Sequence, residues 1–256
     1  MYYSNGSFLI YYEKYGNSKD TILILPGWGF TRPTFSNLIN YLSKDYTVYI
    51  IDYPGFGESI IKEENLTIYD YASAIRELIQ ELRIKDPIII AHSFGGRIAT
   101  LLSGYYKDKI KKQIFIDVAG IKPKVTWKGL IRKHIYKLLK KLTNLLPKKK
   151  RNKVKNILLK KFSSDDYYNL PDNMKKTFQN IVNEDLTKYL PNITVETLIL
   201  WGEFDDATPL KDAYKFKNTI KDSALIVLKK AGHYSYLDHP YLTLSIIEEF
   251  LKIKIH

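Results

Sequence analysis

The chain has 256 residues, of which 45% are hydrophobic and 14% aromatic. These values fit one large folded domain, or one with a sizeable insertion, and argue against a disordered chain. The sequence contains no cysteine, which excludes a disulfide framework, a zinc–thiolate site, an iron–sulfur centre and a thiol nucleophile. The longest apolar runs are too short to cross a bilayer, and no secretory leader pattern is visible, so we expect a cytoplasmic protein.

The positive charge is concentrated in one segment. The net charge is +13, yet residues 121–161 contain 16 Lys and Arg and no Asp or Glu, which leaves the other 215 residues with a net charge of −3. The asymmetry shows that the basic segment has to be explained separately from the rest. Because the body is not basic and the basic run has few interleaved aromatic residues, we expect no nucleic-acid partner.

Along the chain, short apolar runs alternate with stretches of helical periodicity. The predicted strands are residues 8–12, 21–25, 47–51, 87–91, 113–117, 197–201 and 224–228. The predicted helices are residues 67–83, 94–106, 210–219 and 241–251, and Thr67 with Asp70 has the spacing of a capping box at the start of the first. Continuous apolar strands separated by helices predict an α/β fold, with a mostly parallel central sheet covered by helices on both faces.

Residues 121–191 interrupt this alternation and have only helical patterns. We therefore expect residues 1–120 and 192–256 to form the core, and residues 121–191 to form a basic helical lid over the carboxyl ends of the strands. From residue 127 the apolar residues recur at helical spacing, with Lys and Arg between them. The apolar positions are Trp127, Leu130, Ile131, Ile135, Leu138, Leu139, Leu142, Leu145 and Leu146.

Two interpretations of this amphipathic helix remain open. The favoured one is a lid helix that packs its apolar face on the active site and leaves its lysines in solvent. The alternative is a peripheral contact with an anionic membrane, or attraction of an acidic substrate. The sequence leaves the oligomeric state open.

The segment around Ser93 predicts a nucleophile elbow. An apolar strand runs directly into Ser93, and a helix is predicted to begin at the next residue. In such a turn the serine backbone is strained, and the residues two before and two after it approach each other closely and must be small. Ala91 and Gly95 occupy these positions. The alternative is an ordinary strand-to-helix turn with a capping serine.

A serine hydroxyl needs a base and an acid that orients the base. His233 follows the predicted strand 224–228 on a loop and is the predicted base. Asp205 follows strand 197–201 and is the predicted acid, so the chain order is Ser, Asp, His. Asp206 and Asp117, the latter at the end of strand 113–117, stay open as alternative acids. The other histidines, His92, His134, His239 and His256, have no predicted catalytic role.

A developing oxyanion needs two amide donors. We expect one from the backbone N–H of Phe94 at the start of the elbow helix, and the other from Trp28 in the turn Gly27-Trp28-Gly29. Trp28, Phe94 and Tyr234 are also expected to contact the substrate. The turn lacks the third glycine of a dinucleotide fingerprint. No metal and no organic cofactor is expected.

Taken in order, these motifs resemble the α/β-hydrolase superfamily over nearly the whole chain. The resemblance implies an eight-stranded sheet, a triad on Ser93, His233 and Asp205, and a helical lid after the sixth strand. Two positions depart from the usual pattern: Pro26 stands where many members have His, and Ala91 where most have Gly. The matching segments are Pro26-Gly-Trp-Gly29, Asp52-x-x-Gly55-Phe-Gly57-x-Ser59, Ala91-His-Ser-Phe-Gly95-Gly96, Trp201-Gly-Glu-x-Asp205 with Pro209, and Gly232-His233.

The expected activity is therefore hydrolysis of a small carboxylic ester or a similar acyl bond through an acyl-enzyme. Within the family, the sequence is most similar to lidded bacterial carboxylesterases and carbon–carbon bond hydrolases. A carbon–carbon bond hydrolase or a small lipase is the alternative within this fold. A protein that binds a ligand or a membrane without turnover is the alternative outside enzymes.

Overall fold

The computed structural model describes residues 1–63, 65–123 and 127–252, so residues 124–126 of the predicted lid lie outside it. The strands in these ranges form one sheet. Their bounds are β1 (Tyr2–Ser4), β2 (Phe8–Tyr15), β3 (Thr21–Leu25), β4 (Thr47–Ile51), β5 (Ile60–Ile61), β6 (Ile88–His92), β7 (Lys112–Ile116), β8 (Thr197–Gly202) and β9 (Ser223–Leu228).

Eight of these strands follow one path, β1-β2-β4-β3-β6-β7-β8-β9, and β5 pairs with β2 beside it. The first two pairings on the path are antiparallel, and all pairings from β4 to β9 are parallel. All seven predicted strands are confirmed. Strands β1 and β5 were not predicted, because segments of three and two residues are too short to show a period.

Helices cover both faces of the sheet. Their bounds are α1 (Ser36–Leu42), α2 (Ile68–Glu81), α3 (Phe94–Thr100), α4 (Trp127–Leu142), α5 (Lys148–Phe162), α6 (Asp165–Asn169), α7 (Asp172–Asn183), α8 (Leu210–Thr219), α9 (Ser235–Asp238) and α10 (Pro240–Lys252). Helix α3 continues through a π turn at Leu101–Tyr105. The short 3₁₀ helices are Arg32–Phe35, Thr143–Leu145 and Thr187–Asn192.

Two hydrophobic layers explain why the strands are continuously apolar. Successive residues of a strand point to opposite faces of the sheet. In β3, Leu23 and Leu25 pack on one face beside α2 and α3, whereas Ile22 and Ile24 pack on the other face beside α1 and α10. Ile22, Leu23, Ile24 and Leu25 are therefore all buried, so the periodicity of a half-exposed strand is absent. The predicted fold class, a mostly parallel sheet between two helical layers, is confirmed.

Helices α4 to α7 lie between β7 and β8, after the sixth strand of the eight-strand path. Helix α7 packs against the body, where Met174 and Ile181 are buried. Helix α4 instead packs along α5: the rings of Tyr136 and Phe162 are 5.6 Å apart, and Arg132 donates to the Lys161 carbonyl at 2.7 Å.

The apolar face of α4 does not pack on the active site, as the favoured interpretation of the sequence expected. The helix forms as predicted, but Leu130, Ile131, Ile135, Leu138 and Leu142 are each 45–60% exposed. The reason is that α5 lies against another side of α4, the side that carries Tyr136 and Arg132. The apolar face therefore points to solvent rather than onto the active site. None of the helices in the described ranges is long and apolar enough to span a membrane.

The start of α2 contains the capping box that the sequence predicts. The Thr67 N–H donates to the Asp70 carboxylate at 2.7 Å, and the Asp70 N–H donates to the Thr67 hydroxyl at 3.4 Å. Thr67→Ala removes the acceptor for the Asp70 N–H. We expect the free energy of unfolding to fall by about 1 kcal/mol in urea titrations. Thr194→Ala, at an exposed loop position, is the control, and equal losses in both variants would contradict the cap.

Candidate active site

Ser93 lies between β6 and α3 in a strained backbone conformation, with φ 47° and ψ −112°. A non-glycine residue in such a region costs about 1–3 kcal/mol and is kept only where its surroundings hold it. Three backbone hydrogen bonds hold Ser93. Its N–H donates to the Ile116 carbonyl at 3.2 Å, and its carbonyl accepts from the N–H groups of Gly96 and Ala119 at 3.0 and 2.8 Å. The side chain is consequently fixed at the carboxyl edge of the sheet.

The small residues around Ser93 are required by close packing. A Cβ atom on Gly95 would lie 2.1 Å from the Leu25 carbonyl oxygen, and one on Gly96 would lie 2.2 Å from Val118 Cβ. Ala91, in the middle of the sheet, is fully buried. The core therefore accommodates the methyl group of Ala91, which stands where most members of the family have Gly.

The structure brings Ser93, His233 and Asp205 together. His233 Nε2 lies 2.9 Å from Ser93 Oγ, and His233 Nδ1 lies 2.8 Å from Asp205 Oδ2. His233 follows β9 and Asp205 follows β8, whereas Ser93 follows β6. The three side chains converge because parallel strands present their carboxyl ends at the same edge of the sheet.

Asp205 is held as a carboxylate. Burial raises its pKa, but hydrogen bonds from His233 and Thr208 outweigh that effect, and the net pKa lies below the usual range. Oδ1 accepts the N–H groups of Ala207 and Thr208 at 2.9 and 2.8 Å, and Oδ2 accepts the Thr208 hydroxyl at 2.6 Å. The sequence reasoning missed Thr208. Its place in the turn between Asp205 and Pro209 is the signal that could have found it, because Thr hydroxyls commonly bond to nearby turn residues.

Asp117 and Asp206, the alternative acids, lie elsewhere. Asp206 is exposed. Asp117 is fully buried after β7, and its carboxylate accepts the Gly202 N–H at 2.8 Å and both the N–H and the hydroxyl of Ser235, at 3.1 and 2.6 Å. Burial raises its pKa to about 7 against the lowering effect of these donors. Asp117 thus ties the end of β8 to the loop that carries His233.

His92, the last residue of β6, is a second buried group that contacts the loop of His233. Its Nε2 lies 2.9 Å from the His233 carbonyl oxygen. A carbonyl only accepts, so Nε2 carries the proton. Burial, followed by the charge of His233, lowers the pKa of His92 to about 3. Sequence reasoning gave His92 no role. His239 is half-buried and His134 is exposed, both outside the cluster, and His256 lies outside the described residues.

The Trp28 turn has the geometry of an amide donor site. The Phe30 N–H donates to the Gly27 carbonyl at 3.1 Å, and Gly29 adopts φ 76°, as the third residue of a type II turn requires. Among the residues that the structure describes, the N–H groups of Trp28 and Phe94 have no protein acceptor. Both amides are therefore available to a ligand.

The side chains expected to contact substrate differ in exposure. Trp28 is half-buried, and its ring packs against those of Phe94 and Phe178 at 5.1 and 5.3 Å. Phe94 is only 3% exposed, so its ring is buried behind that of Trp28. Tyr234 is 39% exposed beside His233, at the rim of the site. Phe178 on α7 was not predicted, because nothing in its local sequence indicates a contact with Trp28. Across the described ranges, His, Asp and Glu form no group that could hold a metal ion.

The sequence matches a known family. A model of the alpha/beta hydrolase fold matches residues 20–173 and 158–240. The chain belongs to that family and is an α/β-hydrolase enzyme.

Three proteins illustrate its similarity to known members. The chain is 29% identical over 257 residues to the pimeloyl-(acyl-carrier protein) methyl ester esterase of Wigglesworthia glossinidia brevipalpis, covering 93% of this chain and 95% of that one. It is 24% identical over 270 residues to 2-hydroxy-6-oxononadienedioate/2-hydroxy-6-oxononatrienedioate hydrolase 1 of Pseudomonas putida, covering 94% and 91%. The enol-lactonase from Burkholderia xenovorans LB400 shares the fold, with a TM-score of 0.76 at 19% identity, covering 99% and 100%.

The buried His92 predicts a specific loss of stability in acid. Its pKa is near 6.5 when unfolded and about 3 when folded, so below pH 6.5 the unfolded chain binds a proton that the folded chain does not. His92→Gln keeps an amide donor for the His233 carbonyl but does not titrate. Below about pH 6.5 we expect wild type to lose up to about 1.4 kcal/mol per pH unit relative to this variant.

The measurement is the free energy of unfolding in urea at a series of pH values. The quantity compared is the slope of the unfolding free energy against pH. A packing cost of the substitution that does not change with pH therefore cancels. Parallel pH dependences for the two proteins would show that His92 is not held neutral in the folded state.

Proposed function

We propose that the chain is a serine hydrolase of carboxylic esters, in which Ser93 is the nucleophile, His233 the general base and Asp205 the orienting acid. The observation that carries this proposal is the pair of contacts at His233: 2.9 Å from Nε2 to Ser93 Oγ and 2.8 Å from Nδ1 to Asp205. These distances are within the reach that proton transfer requires.

In the proposed reaction, His233 takes the proton of the Ser93 hydroxyl as its oxygen attacks the acyl carbon. Asp205 keeps the Nδ1 proton in place and stabilises the imidazolium that forms. The protonated His233 then gives its proton to the departing alcohol. Water, activated by the same imidazole, attacks the acyl-enzyme, releases the acid and returns the proton to Ser93.

The oxyanion of each tetrahedral intermediate is assigned to the amides of Trp28 and Phe94. Neither N–H group has a protein acceptor among the described residues. Trp28 follows the carboxyl end of β3, and Phe94 directly follows Ser93 at the carboxyl end of the neighbouring strand β6. Preorganised amide donors of this kind stabilise charge that develops only in the transition state. The half-buried ring of Trp28 and the rim position of Tyr234 make them the proposed substrate contacts, with Phe94 behind Trp28.

A small ester is the proposed substrate class. The relative from Wigglesworthia is named as a methyl ester esterase, which supports a small alcohol leaving group. The relative from Pseudomonas is named as the hydrolase of an oxo-dienedioate, which makes a carbon–carbon bond hydrolase the rival within this fold.

The proposed domain division is a core of residues 1–120 and 192–256 and a lid of residues 121–191. Within the lid, α7 is the part that reaches the site. The ring of Phe178 contacts that of Trp28, and Met174 packs so closely on Gly55 that a Cβ atom there would lie 2.7 Å from the Met174 methyl group. Helix α7, rather than α4, is therefore proposed to limit substrate access.

Ser93→Ala removes the nucleophile and little else, since the hydroxyl is half-buried at the sheet edge. We expect turnover of a short p-nitrophenyl ester to fall by at least about 10⁴-fold, with an unchanged thermal melt. Ser245→Ala on α10 is the control and should keep full activity. A fluorophosphonate probe should label wild type but not Ser93→Ala. Labelling with no ester turnover would favour another acyl bond, and absence of labelling would overturn the proposal.

Replacement of the two buried acids distinguishes their roles. Asn at position 205 would donate to His233 Nδ1 and favour the wrong tautomer, so Asp205→Asn should lower kcat by about 10⁴-fold. Asp117→Asn leaves Asp205 on His233, but its amide nitrogen cannot accept, so either the Gly202 N–H or the two donors of Ser235 lose their acceptor. It should lower the free energy of unfolding by about 1–3 kcal/mol and keep most of kcat. The reverse ranking of kcat would assign the acid to Asp117.

A further inference from the structure

The outer face of α4 is an exposed apolar band. We define it by Leu130, Ile131, Ile135, Leu138, Leu142 and, in the following 3₁₀ turn, Leu145. These side chains are 46%, 49%, 45%, 60%, 49% and 82% exposed. Surface apolar residues are common singly, but a contiguous band of large side chains marks an interaction site.

The band has the geometry of one helix face. At 100° per residue, its members on α4 span a sector of about 140° and run about 18 Å along the axis. The sides away from the band carry the contacts with α5, through Tyr136 to Phe162 and Arg132 to the Lys161 carbonyl. Helix α5 therefore fixes α4 in an orientation that leaves the band outward.

Positive charge borders the band. Lys137 and Lys141, one turn apart, are exposed along one edge of it. The whole segment 121–161 contains 16 Lys and Arg and no acidic residue, so no carboxylate within it neutralises these cations. A partner of this face must accept apolar side chains and supply negative charge at the same time.

An anionic lipid surface meets both requirements. It accepts apolar side chains at any position along a helix, and its headgroups attract the flanking lysines. An acidic protein would satisfy the charge, but it would need an apolar groove that matches six aliphatic side chains. We propose that the outer face of α4 binds the interface of bilayers that contain anionic lipid and holds the enzyme there. This binding is separate from the chemistry proposed for Ser93.

Vesicle co-sedimentation tests the proposal with the full chain. The vesicles are pure phosphatidylcholine, or phosphatidylcholine with one third phosphatidylglycerol, each at low and at high salt. We expect wild type to sediment with the phosphatidylglycerol vesicles at low salt and to remain in the supernatant with pure phosphatidylcholine. Ser93→Ala should bind equally, so failure of the proposed hydrolysis and failure of lipid binding are distinguishable.

Two double variants separate the apolar and the charged contributions. Leu138→Ser with Leu142→Ser removes part of the band, and Lys137→Gln with Lys141→Gln removes two bordering charges. Each pair should weaken binding to phosphatidylglycerol vesicles by about fivefold or more. All four side chains point to solvent, so thermal melts and ester turnover in solution should stay unchanged.

Matched controls lie on the body of the protein. Leu237→Ser with Leu242→Ser replaces aliphatic residues of similar exposure, and Lys211→Gln with Lys215→Gln replaces an exposed pair one turn apart on α8. Both controls should bind as wild type does. The proposal is overturned if wild type shows no preference for phosphatidylglycerol, or if the controls lose as much binding as the α4 variants. It is also overturned if only the lysine pair matters, which would indicate electrostatic adsorption to the headgroups without any role for the apolar band.

Discussion

Parallel strand pairing is the constraint on which the site depends. Strands β6, β7, β8 and β9 are neighbours and run in the same direction, so their carboxyl ends form one edge. Ser93, Asp205 and His233 each follow one of these ends, although up to 140 residues separate them along the chain. The strained φ of Ser93 is maintained because its neighbours pack against β3 and the segment after β7 with no room for larger side chains.

A layer of buried polar groups below the three side chains positions the loop of His233. His92 donates to the His233 carbonyl, and Asp117 accepts both donors of Ser235, two residues further along. Asp117 also accepts the Gly202 N–H at the end of β8, the strand that leads to Asp205. Buried polar groups are tolerated in a core only where they are hydrogen-bonded, and when satisfied they specify one geometry. The loop of His233 is thus fixed by side chains that have no part in the proposed reaction.

The segment between β7 and β8 has two parts with different environments. Helix α7 packs on the body and contributes Phe178 to the aromatic cluster around Trp28. Helices α4 and α5 pair with each other, and the apolar face of α4 is exposed beside a row of lysines. One part therefore shapes the site, and the other presents a surface.

The sequence by itself determined the seven main strands, the α/β architecture, the capping box of α2 and the places of Ser93 and His233 at the sheet edge, because apolar periodicity and small residues around a turn are local signals. It did not determine β1 and β5, which are too short to have a period, or the contacts of Thr208, Ser235 and Phe178. The choice between Asp117 and Asp205 as the partner of His233, the inward position of His92 and the outward face of α4 were decided only by the tertiary structure. Each depends on which element packs against which, and residues distant in sequence make that packing.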